Sequence, residues 1–277
     1  MENIKKLIGL VIIIISLVSC EEIPPTITPC QTNRVVLVEE FTGVSCVNCP
    51  TGADKLELLS TQNPGKIISV GIHAGYFSTP SSTNLYHELR CADGINLEAT
   101  YLGPVSGYPS ATINRKIFDG ENELPTNLTK WAGYINTEIC NRPIAELSAT
   151  STYNSQDSTA SVTVNMTPST YFIDALPENL ALTIMITENN IIGYQLTPSG
   201  PDSNYVHKHV LRDIITTDYT GDVLITKGNV LSPQQKTISD YKIPAGWDPD
   251  NCYIIAFIHY KGDNNKSIQQ AIEIHLK

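Results

Sequence analysis

Positive charge is scarce in this sequence. Its 18 lysines and arginines stand against 28 aspartates and glutamates, a formal net charge of −10. So acidic a chain has no electrostatic footing on nucleic acid and no basic face for an anionic membrane surface. Long apolar runs are scarce too: beyond Leu7 to Val18, no stretch is long enough to cross a bilayer as a helix. A second Cys-x-x-C, or a Cys/His pair at ligand spacing, is missing. That argues against zinc at the one Cys-x-x-C present. There is also no internal repeat, low-complexity tract, phosphate loop, Ser-His-Asp order or paired-carboxylate motif, so no metal or cofactor is expected.

What is present begins with a leader. Lys5 and Lys6 precede the apolar run 7–18, and Leu17-Val18-Ser19-Cys20 has the form of a bacterial lipobox, in which cleavage exposes a cysteine that is then acylated. Residues 1–19 are therefore read as a lipoprotein signal peptide, and Cys20 as the lipidated residue. An ordinary secretory signal with a chance cysteine is the plainer alternative. Cleavage leaves 277 − 19 = 258 residues with a formal charge of −11. Since no second apolar stretch can span, the lipid must supply the attachment. Residues 20–33, with Pro24, Pro25 and Pro29, read as an extended tether.

The chain is organised around RVVLVEEFTGVSCVNCP, residues 34–50. Arg34 to Phe41 reads as a buried strand and Thr42-Gly43 as its end. Pro50 stands where the first turn of a helix accepts proline, because an N–H there has no partner to lose. Cysteines at i and i+3 on a helix N-terminus can close a small disulfide, and the backbone N–H groups there favour a thiolate on the first of them. Glu40 lies six residues before Cys46. Pro109 comes directly before a short apolar strand, Ser110 to Asn114.

These three parts together resemble the thioredoxin fold. The resemblance implies Cys46 as nucleophile, Cys49 as resolving thiol, Glu40 as the buried acid that handles the Cys49 proton, and Pro109 as a cis-proline facing the pair. This sequence departs from that pattern at Ser45, at Pro50 and in having Glu rather than Asp as the acid.

Downstream, Lys66 to His73 reads as a second buried strand, and 83–101 as a broken helix. Leu128, Trp131, Ile135 and Ile139 form one stripe of a helix that Arg142-Pro143 ends. Composition then shifts to alternating runs: Ala160, Val162, Val164, Met166; Leu180, Leu182, Ile184, Ile186; and finally Ile272, Ile274, Leu276. Tyr253 to Tyr260 is apolar on both faces. The expected fold is an α/β thioredoxin-like domain at 34–142 followed by an all-β, immunoglobulin-like antiparallel sandwich at 143–277.

The lipobox at Cys20, FTGVSCVNCP, HAGYFS (73–78), GYPSATINR (107–115), YVHKHVLRD (205–213) and AFIHYKGDNNKSIQQAIEI (256–274) together resemble the outer membrane protein 28-related lipoproteins of Gram-negative anaerobes. That resemblance covers nearly the whole mature chain and implies a lipid-anchored outer-membrane or cell-surface protein. Two functions follow: a surface protein that binds a partner through its β-sandwich, or a thiol–disulfide oxidoreductase acting on exported proteins.

Other candidates have plainer readings beside them. His207 and His209 would share a face of a strand, as metal ligands or as packing histidines. Asp248, Asp250 and Asn251 suit calcium or a tight turn. His73 is a proton carrier or a satisfied strand-edge histidine. Besides Cys46 and Cys49, four exported cysteines remain: Cys30, Cys91, Cys140 and Cys252. They allow three pairings. The expected bond is Cys91–Cys140, both in helical stretches of one domain.

Overall fold

The computed structural model describes residues 30, 32–79 and 88–277. The leader, Cys20, most of the tether and Leu85 lie outside the described residues. Residues 31–277 form one compact unit.

In chain order the elements are β1 (Val36–Thr42), α1 (Cys49–Gln62), β2 (Ile67–His73), α2 (Ala92–Asn96), which runs on as a π-helical turn over Leu97–Leu102, β3 (Ser110–Ile113), β4 (Thr126–Asn127) and α3 (Trp131–Ile139). Then come β5 (Ala145–Asn154), β6 (Thr159–Pro168), β7 (Leu180–Glu188), β8 (Ile191–Thr197), β9 (Gly200–His207), β10 (Val210–Ile214), β11 (Asp222–Ile225), β12 (Gln234–Lys242), β13 (Cys252–Tyr260) and β14 (Ile268–His275).

The expectation of an α/β thioredoxin-like domain followed by a separate immunoglobulin-like sandwich is not what the chain forms. One mixed sheet of nine strands runs β14-β13-β7-β10-β2-β1-β3-β4, with β11 also on β7. It draws strands from both sides of residue 142. Among the described residues 41% are in strands against 17% in helices, so the few helices cannot cover an α/β layer of their own. The physical reason lies at the outer edge of β2. That edge is not left bare: Val210 pairs with Gly71, and the Gly71 N–H donates to the His209 carbonyl at 2.7 Å. An unpaired edge strand is a liability, and here the later half of the chain covers it.

The far end of the sheet is also tied back to the start. The Arg34 guanidinium donates to the Ile268 and Gln269 carbonyls, the Val35 N–H to Gln270 Oε1 (3.0 Å), and the Ile268 N–H to the Asn114 carbonyl (2.8 Å).

The alternating pattern of β6 holds: Ala160, Val162, Val164 and Met166 are buried and their neighbours partly open. With β5 and β12 this strand forms a three-stranded sheet. Its apolar face packs on Leu180, Leu182, Ile184 and Ile186 of β7 and on Ile254, Ala256 and Ile258 of β13. The opposite face of the large sheet meets Leu97 and Leu102, with Leu37, Phe41, Val70, Ile72, Met185, Ile255 and Phe257. Strands β7 and β13 are therefore buried on both faces, which their continuous apolar runs require. Each such Ile or Leu contributes about 1.5–3 kcal/mol by leaving water.

Candidate functional site

The Thr42–Cys49 turn is shaped by its neighbours. Gly43 has no room for a side chain: a Cβ there would sit 2.6 Å from the Phe77 carbonyl carbon. The 75–79 segment grips the turn through Ser45 N–H to the Phe77 carbonyl (2.9 Å) and Ser78 Oγ to the Thr42 carbonyl (2.7 Å). The Cys46 N–H donates back to Gly43 and the Cys49 N–H to Cys46. Helix α1 then starts at Cys49 with Pro50 in its first turn. Cys46 and Cys49 are disulfide-bonded, their Cα atoms 5.4 Å apart.

Beneath the pair, β1 carries Glu40 on the face toward α1. A Cβ on Gly52 would come within 2.2 Å of Glu40 Oε1 and 2.9 Å of Pro109 Cβ, so glycine is what lets the helix approach both residues. The Tyr108–Pro109 bond is cis, and Ser110 pairs with Phe41 of β1. Glu40 is only 5% exposed and its Oε1 has no hydrogen-bond partner. Burial pushes its carboxyl up to about 8, so it is mainly protonated at neutral pH. Glu40, Cys49 and His73 all line a small cavity of about 40 Å³. The imidazole of His73 is held well below its ordinary range, chiefly by burial and then by His207 and Arg212. Its Nδ1 also lacks a partner.

Exposure of Cys46, the nucleophile's usual condition, is not observed. Both sulfur-bearing residues are 2% exposed. The cover is the β8–β9 hairpin, a two-stranded sheet of its own. Gln195 Nε2 donates to the carbonyls of Gly43 (3.2 Å), Cys46 (3.0 Å) and Leu196 (3.0 Å), and the Leu196 N–H donates to Val44 (2.8 Å). At the other strand of the hairpin, His207 sets its ring edge-on to His73, with centroids 5.5 Å apart. Sequence reasoning did not identify this lid. Gln195 is an ordinary amide until the fold brings it 149 residues back to Cys46.

The remaining cysteines do not pair as expected. Cys91 is free, whereas Cys30 and Cys140 are each disulfide-bonded, so there is no Cys91–Cys140 bridge. Cys91 is instead the N-cap of α2, its Sγ accepting the Gly94 N–H at 3.3 Å. Burial pushes its thiol up to about 11. Cys252 is free and buried in the sandwich core, its thiol pushed up to about 12.

His207 and His209 do not act together. His207 closes β9 against His73, and His209 lies beyond the strand in a left-handed conformation. Asp248 caps the short turn at 249–251, accepting from the Asp250 N–H and the Asn251 amide, which is turn chemistry.

A different interaction was not visible in the sequence. Glu39, next to Glu40 but on the opposite face of β1, takes a two-pronged ion pair from Arg115 (2.9 and 2.6 Å) and the hydroxyl of Thr112 (2.8 Å), with both charged side chains fully buried.

Residues 98–275 match the family described as outer membrane protein Omp28. That stretch contains Pro109, Arg115 and the hairpin but not the cysteine pair. Among solved structures, HBP35 of Porphyromonas gingivalis is similar over 88% of this chain and 76% of its own, at 19% identity and a TM-score of 0.63. The Agrobacterium tumefaciens protein AGR_C_4864 is similar over 89% of this chain and 95% of its own, at 13% identity and a TM-score of 0.53. At such identities the likeness shows fold alone. Comparison with curated proteins gave no match.

Proposed function

The chain belongs to the outer membrane protein Omp28 family, as its motifs led us to expect, and from that premise of outer-membrane association we propose a thiol–disulfide exchange protein held to the membrane by a lipid on Cys20. The observation that carries this reading is the uncharged, unpartnered carboxyl of Glu40 in the same cavity wall as Cys49.

A thiolate of an exported protein attacks Cys46 Sγ. A mixed disulfide forms, and the Cys46–Cys49 bond breaks to release Cys49 as thiolate. Glu40 supplies the proton that this thiolate takes up. A second thiolate of the substrate then attacks its own mixed-disulfide sulfur, so that the substrate leaves oxidised and the cysteine pair reduced. In the reverse direction Glu40, as carboxylate, accepts the Cys49 proton. The cavity exceeds the roughly 10–15 Å³ that one water needs, and Glu40 Oε1 and His73 Nδ1 offer it partners, so a water can relay the proton. Because Cys46 is covered, the β8–β9 hairpin must lift before substrate enters.

The test is the reduction potential of the pair together with turnover of a disulfide substrate, with Cys46→Ser as control. A potential between about −120 and −270 mV with Cys46-dependent turnover supports exchange. A potential below about −300 mV without turnover makes the bond a staple. The partner-binding role would then be the better description.

A further inference from the structure

Away from the disulfide, a cavity of about 670 Å³ opens between the end of α3, the segment after β3 and the β13–β14 loop. Its wall is out of keeping with a chain of formal charge −10. Five cations line it: Arg34, Arg115, Lys116, Arg142 and Lys266. The opposing acids are Glu138 and Asp263.

Glu138 is shared by Arg34 (3.3 Å) and Lys116 (2.9 Å), which leaves one positive charge, and Arg115 is matched by Glu39 behind it. Arg142 and Lys266 add two and Asp263 removes one, so the cavity holds a net charge of +2. Arg142 and Lys266 lie over aromatic rings, Tyr171 at 5.6 Å and Tyr101 at 5.2 Å, which hold both side chains in place without neutralising them. Deeper in the wall, Arg34 is only 4% exposed, yet its Nε has no acceptor. Buried guanidinium N–H groups are normally hydrogen-bonded, and the acceptors that suit their fork are phosphate or carboxylate oxygens.

We propose that this cavity is a binding site for a phosphate-bearing ligand, a phosphate monoester or diphosphate on a polar body, with Arg142 and Lys266 as its outer cations and Arg34 at its base. A carboxylate would meet one face of this arrangement. The spread of cations around the wall fits the tetrahedral oxygens of phosphate better, and the volume accommodates more than the bare ion. The phosphate can come from a soluble metabolite or from a lipid headgroup.

The experiment is calorimetric titration of the full oxidised chain with pyrophosphate and glucose 6-phosphate, glucose being the uncharged control. Flotation with vesicles of phosphatidylcholine, with and without phosphatidic acid, runs in parallel. We expect binding to the phosphates and not to glucose, weakened about tenfold or more in Arg142→Gln/Lys266→Gln. Asp263→Asn, which removes the opposing carboxylate, should tighten binding a few-fold. Soluble binding alone assigns the source to a metabolite, and phosphatidic-acid-dependent flotation assigns it to a headgroup. Absence of binding to every phosphate probe, or affinity unchanged in both variants, overturns the proposal. If the double variant does not fold, Asp263→Asn decides alone. None of these residues belongs to the disulfide site, so either proposal can fail without the other.

Discussion

Replacing Glu40 by glutamine tests the central electrostatic feature of the site. In the unfolded chain this carboxyl titrates near 4.5, and burial holds it near 8 in the folded protein. Its native pKa is raised, so its contribution to stability is fully present below about pH 4.5 and is lost as pH climbs toward 8: the unfolded chain ionises and the native state does not. At pH 7 the gap spans about two and a half pH units, and at 1.36 kcal/mol per unit the wild type forfeits about 3 kcal/mol relative to acid pH.

The glutamine side chain of Glu40→Gln cannot ionise in either state and keeps nearly the same shape. Its amide N–H₂ adds a donor that the cavity must accommodate, at a cost independent of pH. The expected result in urea unfolding at pH 4, 5.5, 7 and 8.5 is therefore a difference curve, variant minus wild type, that is flat below pH 4.5 and rises by about 3 kcal/mol by pH 7. A flat difference across the whole range would refute the reasoning. It would mean that Glu40 ionises normally in the fold, and the proton-donor role with it would fall. Measured on the same variant, exchange turnover should drop while Cys46 alkylation in the reduced protein stays unchanged, because Glu40 serves Cys49.

Three further outcomes are expected. Gln195→Ala removes the two hydrogen bonds, to the Gly43 and Cys46 carbonyls, by which this side chain holds the hairpin to the cysteine turn, a net loss of about 2 kcal/mol, so reduction of the disulfide by dithiothreitol should accelerate about tenfold; an unchanged rate would show that reduction does not require the hairpin to lift. Glu39→Gln strands Arg115 as an unpaired buried charge and should cost about 3–5 kcal/mol in thermal or urea unfolding, whereas Glu39→Leu/Arg115→Leu should cost less than the single change. If the double variant is the worse of the two, the ion pair itself stabilises the fold. Cys20→Ala should move the protein from the membrane pellet to the soluble fraction; retention with unaltered processing would end the lipid-anchor reading.

The parts of this fold that could be read from the sequence are those in which local pattern and final environment coincide. Tyr253 to Tyr260 is apolar on both faces apart from His259, and β13 is buried on both faces. Ala160 to Met166 alternates, and β6 buries that one side. The division into two domains failed because strand pairing is not written in either strand alone. Gly71 accepts β10 as a neighbour through backbone groups, and a backbone N–H leaves no mark in composition. A shift from helices to alternating runs near residue 143 is real, but the later strands complete the earlier sheet instead of closing one of their own.

The site divides in the same way. Glu40 and Cys49 share a cavity wall because the strand–turn–helix spacing that relates them is local, and Glu40 and Pro109 both meet Gly52 of α1. Accessibility is not local. Nothing in GVSCVNCP indicates burial, yet the turn is held by a hairpin far along the chain, whose tip, Pro198-Ser199-Gly200-Pro201-Asp202-Ser203, is itself mostly exposed. The same separation explains the cysteines. Cys91 looked available for a bridge, but its sulfur is occupied as a helix cap, a role more often given to Ser, Thr, Asp or Asn. On the exchange reading proposed above, a cysteine pair whose chemistry is set by adjacent residues, but whose turn is held by a residue 149 positions away, would change its availability without changing its intrinsic reactivity. On that same reading, Gln195 is the contact whose loss would make the disulfide available.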